Sequence, residues 1–427
     1  MRSAEGAPGS TTTGGAPVTG IVDVTGRVVP GATWDDLDPV EFDRLRRLIG
    51  ASRGQADQRL AALDNLTLAR ELGVVRVRPE RSAAANVAVA DDGEAPAGAG
   101  RMEILLAGLL LFGHPQALRR FAPTHEAAIQ VFDRVDGLST GTNVFLRWPL
   151  LRLVEEFLAR FRELNPSREV RFDLVRMRVP VYSEAAFREA LANALVHRDY
   201  TAPGAVHVQW SRDQIVVSNP SGLPAGITVA TLLSAPPSPR NPLLADAFRR
   251  AGLVARTGRG VGQIWREQLR HGHAPPDHGR SGEHAVVVVL PGGRPDLGFA
   301  RFVLSHELGG RPLTLAELQV ITRLRRQPRL RTEEVAQMLA VSKTEARRAL
   351  FRMVRAGLVD IQDAATPRRS WMLSDYTVRA LRDSAAAVAV EADAGRGDAP
   401  EPQAAPASES ADRPAAGDAE RPAQAAG

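Results

Sequence analysis

The stretch Arg188-Glu-Ala-Leu-Ala-Asn-Ala-Leu-Val-His-Arg-Asp-Tyr-Thr201 constrains this chain more than any other. Phe187, Ala190, Leu191, Ala194 and Leu195 recur at i, i+3, i+4, i+7 and i+8, the period of a helix that lays one stripe on a core. Beside that stripe Glu189, Asn193 and His197 run in line, four residues apart. A carboxylate and a carboxamide so placed can hold a divalent cation through the amide oxygen and align a water with the carboxylate. Asparagine in mid-helix is intrinsically unfavourable, which argues for a specific role at Asn193.

Such a site must work without a phosphate-binding lysine. The chain has one lysine, Lys343, and Ser342 precedes it, so no Gly-x-x-x-x-Gly-Lys loop exists. Helicase chemistry built on that loop is excluded. A kinase needs a lysine on its third strand, and the asparagine expected after His197-Arg198-Asp199 is Gly204. The run Gly258-x-Gly260-x-Gly262 precedes a helical pattern, so backbone N–H groups at a helix start can face an anion. Gln263 stands where a dinucleotide fingerprint needs its next glycine.

Composition narrows the classes further. There is no cysteine, hence no disulfide framework, thiolate metal site or cysteine nucleophile. The histidines show no metal-ligand spacing, and His271, His273 and His278, in a loop with two prolines, read as solvated. No apolar run is long enough to span a membrane, and Met1–Gly20 lacks a signal-peptide core, so the expected location is cytoplasmic. The net charge is +5, yet Ser384–Gly427 carries eight acids against three arginines, leaving the rest about +10. That balance suits a polyanionic partner.

Periodicity places helices at Pro39–Leu48, Asp57–Leu72, Leu150–Leu164, Leu243–Ala251 and Gly262–Leu269. Ala205–Trp210 and Gln214–Ser218 read as a hairpin, and His284–Leu290 as a buried strand. Ile104–Phe112 reads as a buried element. Strands and helices that alternate without a regular βαβ repeat predict a mixed-sheet α/β sandwich. Residues 1–20 and the acidic 384–427 are expected to be disordered, and 82–100 to be a flexible insertion. A different rhythm begins after residue 311: helices at Leu315–Arg326, Thr332–Leu339 and Lys343–Ala356, a tight turn at Ala340-Val-Ser342, then a hairpin of Val359–Asp363 and Ser370–Leu373. That is a winged helix-turn-helix pattern over 311–376. Gly292–Arg311 reads as a short tether before it.

Four motifs in order carry a family resemblance: Arg188–Tyr200, Ser218-Asn-Pro-Ser-Gly-Leu-Pro224, Pro239-Arg-Asn-Pro-Leu-Leu-Ala245 and Gly258-Arg-Gly-Val-Gly262. Together they resemble the ATPase-like domain of bacterial regulators with an AlbA-type module in front, a domain often labelled as the C-terminal part of a RecG-like helicase. The resemblance spans Thr33–Pro291 and implies a divergent GHKL fold over 101–300, as in gyrase, histidine kinases and MutL. Residues 21–81 then correspond to the remnant behind a truncated AlbA-type module, whose own nucleic-acid binding does not transfer. The resemblance implies ATP and Mg2+ as ligands. Glu189 would be the water-activating carboxylate and Asn193 the magnesium ligand. Asn219 and Gly222 would line the adenine pocket, and Gly258, Arg259, Gly260 and Gly262 would approach the phosphates. Arg240, in the Pro-rich stretch that would form a lid, is a further phosphate candidate. The chain departs from the pattern at Ser218 or Asn219, where GHKL sites have aspartate, at Ser221 for glycine and at Ala255 for glutamate.

On the third helix of the last unit, Lys343, Arg347, Arg348 and Arg352 spread over half the circumference, and Leu350, Phe351 and Val354 are expected to face the core. Arg368 and Arg369 occupy the hairpin tip. Thirteen basic residues against six acids over Gly310–Leu373 favour phosphate contact. The expectation is an ATP-binding, DNA-binding regulator that acts on double-stranded DNA through the winged helix. Weak ATPase activity and a homodimer are compatible with it. The rivals are an ATPase that remodels nucleic acid or protein, and a scaffold with a vestigial pocket.

Overall fold

In the computed structural model, residues 23–52, 56–78, 101–132, 140–172, 175–254, 260–362 and 369–397 are described. The expected disorder at 1–20, the insertion at 82–100, Ala255, Gly258, Arg259 and Arg368 lie outside them.

Asp38 opens α1 (Pro39–Ala51) by accepting from the Val40 N–H, with proline at the first helical position. The single helix expected over Asp57–Leu72 is two elements. A 3-10 turn spans Gln58–Ala62 and α2 spans Asn65–Glu71. The reason is local: Asp57 and Asp64 each cap their own segment, accepting from the N–H of Arg59 and Thr67. Next, β1 (Val75–Arg78) pairs antiparallel with β2 (Arg101–Ile104). The chain continues through α3 (Leu106–Phe112), α4 (Pro115–Phe121), β3 (Ala127–Phe132), β4 (Thr140–Leu146) and α5 (Leu150–Leu164). The antiparallel pair β5 (Ser167–Phe172) and β6 (Val175–Pro180) leads into α6 (Glu184–His197). Then come β7 (Val206–Trp210), β8 (Gln214–Pro220), α7 (Pro242–Arg250), α8 (Gly260–Arg270) and β9 (Ala285–Pro291).

Five strands form a mixed sheet in the order β4-β3-β7-β8-β9. β3 and β7 are parallel, and the other neighbours are antiparallel. Side chains alternate along each strand. Val206, Val208 and Trp210 are buried while His207 and Gln209 are half-buried, so one face carries the core. Against that face lie α5 and α6. Phe161 stacks on Phe187 at 4.6 Å and meets Trp210 edge-on at 5.4 Å. The N-terminal residues belong to the same core: Phe42 of α1 stacks on Phe112 of α3 at 4.0 Å, and Leu45, Ile49, Leu60 and Leu68 join the same cluster.

The expected tether contains a helix, α9 (Leu297–Leu308), opened by Asp296, which accepts from the Phe299 N–H. Its buried Phe299, Phe302 and Val303 explain why: the segment has an apolar face to cover. Beyond it come α10 (Leu315–Leu324), β10 (Leu330–Arg331), α11 (Thr332–Leu339), α12 (Lys343–Arg355), β11 (Val359–Gln362) and β12 (Ser370–Leu373). Strand order is β10-β12-β11. Ala340 turns between α11 and α12 with φ 51°. Capping boxes open α10 (Thr314 with Glu317) and α12 (Ser342 with Glu345). Ala346, Leu350 and Met353 point into a second core, whereas Phe351 is 37% exposed and leans edge-on against Trp371 at 5.4 Å. The expected inward Phe351 is thus corrected: the buried stripe runs i, i+4, i+7 from Ala346 and leaves Phe351 on its border.

A last helix, α13 (Asp375–Gly397), runs past Ser384, where the acidic tail was expected to start. It packs on α9 so closely that a Cβ on Gly298 would lie 3.0 Å from the Cβ of Ala385. Thr377, at its start, is buried against the Gly357 carbonyl and Ser374, and Ser384 is buried one residue before the close approach at Ala385. The second core also takes in Leu269 at the end of α8, so α8 spans both cores.

Candidate functional site

Ser183 caps α6 by accepting from the Ala186 N–H, and the helix then runs buried through the centre of the first core. One face of it opens on a cavity of about 440 Å³, where Glu189, Asn193 and His197 form a wall. The in-line spacing read from the sequence is a shared surface. Glu189 is 4% exposed.

The start of α8 closes against that wall. A Cβ on Gly260 would lie 2.2 Å from the Glu189 Oε1 and 2.8 Å from the Asn193 Nδ2, so only glycine fits. Gly262 lines the cavity one step on.

The opposite wall comes from β8 and β9, through Val217, Asn219, Val286 and Val288. Strand alternation separates the two residues that the sequence left open: Asn219 faces the cavity, and Ser218 belongs to the other face. Asn219 is 4% exposed, and its Nδ2 has no hydrogen-bond partner among the described residues. Gly222 follows in a loop held tightly to the chain before β9, since a Cβ there would lie 2.5 Å from the Glu283 carbonyl oxygen. The Ser221 N–H donates to the His284 carbonyl at 3.1 Å, fixing the same loop.

The Pro-rich segment is anchored at its C-terminal end. Buried Asn241 donates from Nδ2 to the Val196 and Arg198 carbonyls at 2.7 and 2.8 Å, satisfying the open end of α6. Arg240 lines the cavity and pairs with Asp199 at 3.6 Å. Asp199 also accepts from the Thr201 N–H and hydroxyl, at 2.9 and 2.6 Å. Arg198 is a structural post. It is fully buried and donates to the Asp199, Ala202 and Gly204 carbonyls at 2.9, 3.2 and 2.6 Å, and to that of Thr124. Its guanidinium lies 5.0 Å from the Tyr200 ring centroid.

Burial pushes the His197 imidazole down to about 4, with the nearby Arg240 charge adding to the effect. His197 is therefore neutral at pH 7 and does not act as a cation at the end of α6. His278 also lines the cavity, and burial holds it at about 4. The solvated reading of the loop histidines is thus corrected for His273 and His278, which are 5% and 7% exposed. The segment folds back on the sheet, where Asp277 bridges to Val289. Among the described residues no group of three or more His, Asp or Glu could hold a metal. His278 and Arg249, both on the cavity wall, have no sequence signal, because they reach it from segments far apart in the chain.

On the C-terminal unit Lys343, Arg347, Arg348 and Arg352 are all exposed on α12. Arg347 lies over the Phe351 ring at 5.7 Å, and Lys343 pairs with Glu333 of α11. Arg369 immediately precedes β12.

Residues 204–290 match an HATPase family model. Its description is "Putative ATP-dependent DNA helicase recG C-terminal". The match runs from just before β7 to the end of β9 and includes Asn219, Gly222 and Arg240, with Glu189 and Asn193 outside it. Among solved structures, the chain is similar to the crystal structure of the DIP2311 protein from Corynebacterium diphtheriae. Identity is 24% and the TM-score 0.64, over 84% of this chain and 66% of that one, just under two thirds of its length. That likeness is one of fold. No curated protein matches. The matched segment supports an HATPase-like domain. No helix of the described residues is long and apolar enough to cross a membrane.

Proposed function

We propose that the cavity is a GHKL-type Mg-ATP site and that the C-terminal unit is a winged helix-turn-helix that binds double-stranded DNA, making the chain a cytoplasmic ATP-responsive regulator. The observation that carries the nucleotide reading is the convergence of Glu189, Asn193 and Gly260 on a cavity that also holds Asn219. Its volume falls among pockets of roughly 300–1,000 Å³ that take small molecules. The orphaned Asn219 Nδ2 is a buried donor that a ligand can satisfy. Mg2+ is characteristically held by one or two protein groups plus phosphate oxygens, which a lone carboxamide oxygen at Asn193 fits.

In this reading Asn193 would hold the cation and Glu189 would orient a water and take its proton. The backbone at Gly260 and Gly262 would face the phosphates, a role the resemblance also gives Gly258 and Arg259, Arg240 would contact them, and Asn219 and Gly222 would meet the base. Bound Mg2+ would neutralise phosphate charge. The neutral Asn219, in place of an aspartate, favours binding over fast turnover, so signalling by occupancy is preferred to remodelling by hydrolysis.

The order of helices, the left-handed turn at Ala340 and the three-stranded sheet support the winged helix. The exposed basic side chains of α12 would enter a major groove, with Arg368 and Arg369 on the wing touching phosphate. Nucleotide-driven pairing of two chains would bring two such helices to half-site spacing.

Filter binding of labelled ATP tests the site. Asn193→Ala should lose the Mg2+-dependent binding that EDTA removes from the parent chain. Glu189→Gln should bind ATP and lose any single-turnover hydrolysis. Parent-like binding by Asn193→Ala would place the site elsewhere.

A further inference from the structure

We infer that Asn219 makes the cavity tolerant of both purine bases, so that GTP binds as well as ATP to within tenfold. This rests on the cavity being a nucleotide site. Two observations point to it. Asn219 is the strand residue whose polar side chain is buried in the cavity wall, and its Nδ2 finds no acceptor among the described residues. A buried donor left unmade is costly, so the favoured ligand is one that brings an acceptor to it.

The chemistry of the two bases then decides selectivity. A carboxylate at this position could only accept. With the 6-position held against it, it would take the adenine amino group and repel the guanine carbonyl, so guanine could meet it only by shifting to present its N1–H and 2-amino group. A carboxamide both donates and accepts. It can donate to a ring nitrogen of adenine while accepting from the 6-amino group. It can equally donate to the guanine O6 while accepting from the N1–H. Both pairings use two hydrogen bonds, so Asn219 itself gives neither base an advantage. Nothing on the strand wall beside it restores one. Val217, Val286 and Val288 are apolar and indifferent to the 6-substituent. The Ser221 hydroxyl donates to the Gly222 carbonyl at 3.0 Å, and neutral His278 can donate or accept.

Equilibrium dialysis of the full chain against ATP and against GTP, each with Mg2+, tests this. The expected dissociation constants lie within tenfold of each other. In Asn219→Asp, GTP should weaken more than tenfold relative to ATP, since a site that opposes a base edge discriminates strongly. A parent chain that binds GTP more than tenfold weaker than ATP overturns the inference, as does an unchanged ratio in Asn219→Asp. Should Asn219→Asp fail to fold, Asn219→Leu replaces it: both nucleotides should weaken by the same factor, and undiminished binding of either overturns the inference. If ATP binding persists in the parent and is lost in Asn193→Ala while GTP fails, the nucleotide site stands and base tolerance alone falls. If neither nucleotide binds the parent chain, both fall together.

Discussion

The two regions that carry chemistry here differ in shape and in what holds them. The cavity beside α6 is concave, and the polar groups at its floor, Glu189 and Asn219, are buried and convergent. The α12 surface is convex, and its charges are exposed, several and divergent. A buried group has to be accounted for, because an unsatisfied donor or carboxylate in the core costs free energy. An exposed arginine costs almost nothing and constrains little. The cavity therefore makes a sharp demand on its ligand, and the basic helix makes only a demand for negative charge. Helix order and charge support the second reading, whereas convergence and burial support the first.

The largest expected effect is at the point where the cavity walls meet. Gly260→Val places a branched side chain where even a Cβ would lie 2.2 Å from the Glu189 Oε1. Nucleotide binding should fall at least a hundredfold, with overpacking costing roughly 1–3 kcal/mol of stability. Parent-like binding would show that the start of α8 is not part of the site.

Next in size is Arg198→Met, which removes the post beneath the cavity. It leaves four carbonyls without their donor, and hydrogen bonds to a charged group contribute about 1.5–3 kcal/mol each without adding fully. A loss of about 3 kcal/mol or more in denaturant unfolding is expected. A loss under about 1 kcal/mol would demote Arg198 to a surface-like role.

On the basic helix, Arg347→Ala with Arg348→Ala should weaken DNA binding by about 1–3 kcal/mol per base-reading contact. It should leave ATP affinity unchanged. Unchanged DNA affinity would remove α12 from the interface.

Acid sensitivity separates the regions again. His125, His197, His273 and His278 are all held by burial at about 4, against an ordinary 6.5. Between those values the unfolded chain binds protons that the folded chain does not, so stability falls as pH drops through that window and is level above it. Melting temperature should decrease from pH 6.5 toward 4.5. A flat profile would mean that these rings are not buried neutral. No histidine lies on α12, so its surface charge should not change over the same range.

The smallest effect is expected at Lys343, whose exposed pair with Glu333 contributes at most about 1 kcal/mol. Lys343→Met should chiefly lower the salt slope of DNA binding, by about one contact.

Much of this arrangement is legible in the sequence because local rules decide it. The α6 stripe, the Glu189/Asn193 pair, the hairpin of β7 and β8 and the three helices after residue 311 come from periodicity and capping. The rest depends on tertiary contact. α9 reads as a tether, since its apolar face has meaning only against the second core. The part of α13 beyond Ser384 reads as a tail, because alanines and acids show no core face until Ala385 meets Gly298. His278 looks like a loop residue because nothing in its own neighbourhood shows that the loop folds back on the sheet. Asn219 is recognisable as a departure from aspartate, but its unsatisfied Nδ2 emerges only once the strand is seated.

The most direct test of the nucleotide site is isothermal titration of the full chain with Mg-ATP. A saturable heat at one nucleotide per chain is expected, and it should fall away in Asn193→Ala and when Mg2+ is withheld. An absence of heat from the parent chain at millimolar ATP, or an identical isotherm from Asn193→Ala, would contradict it.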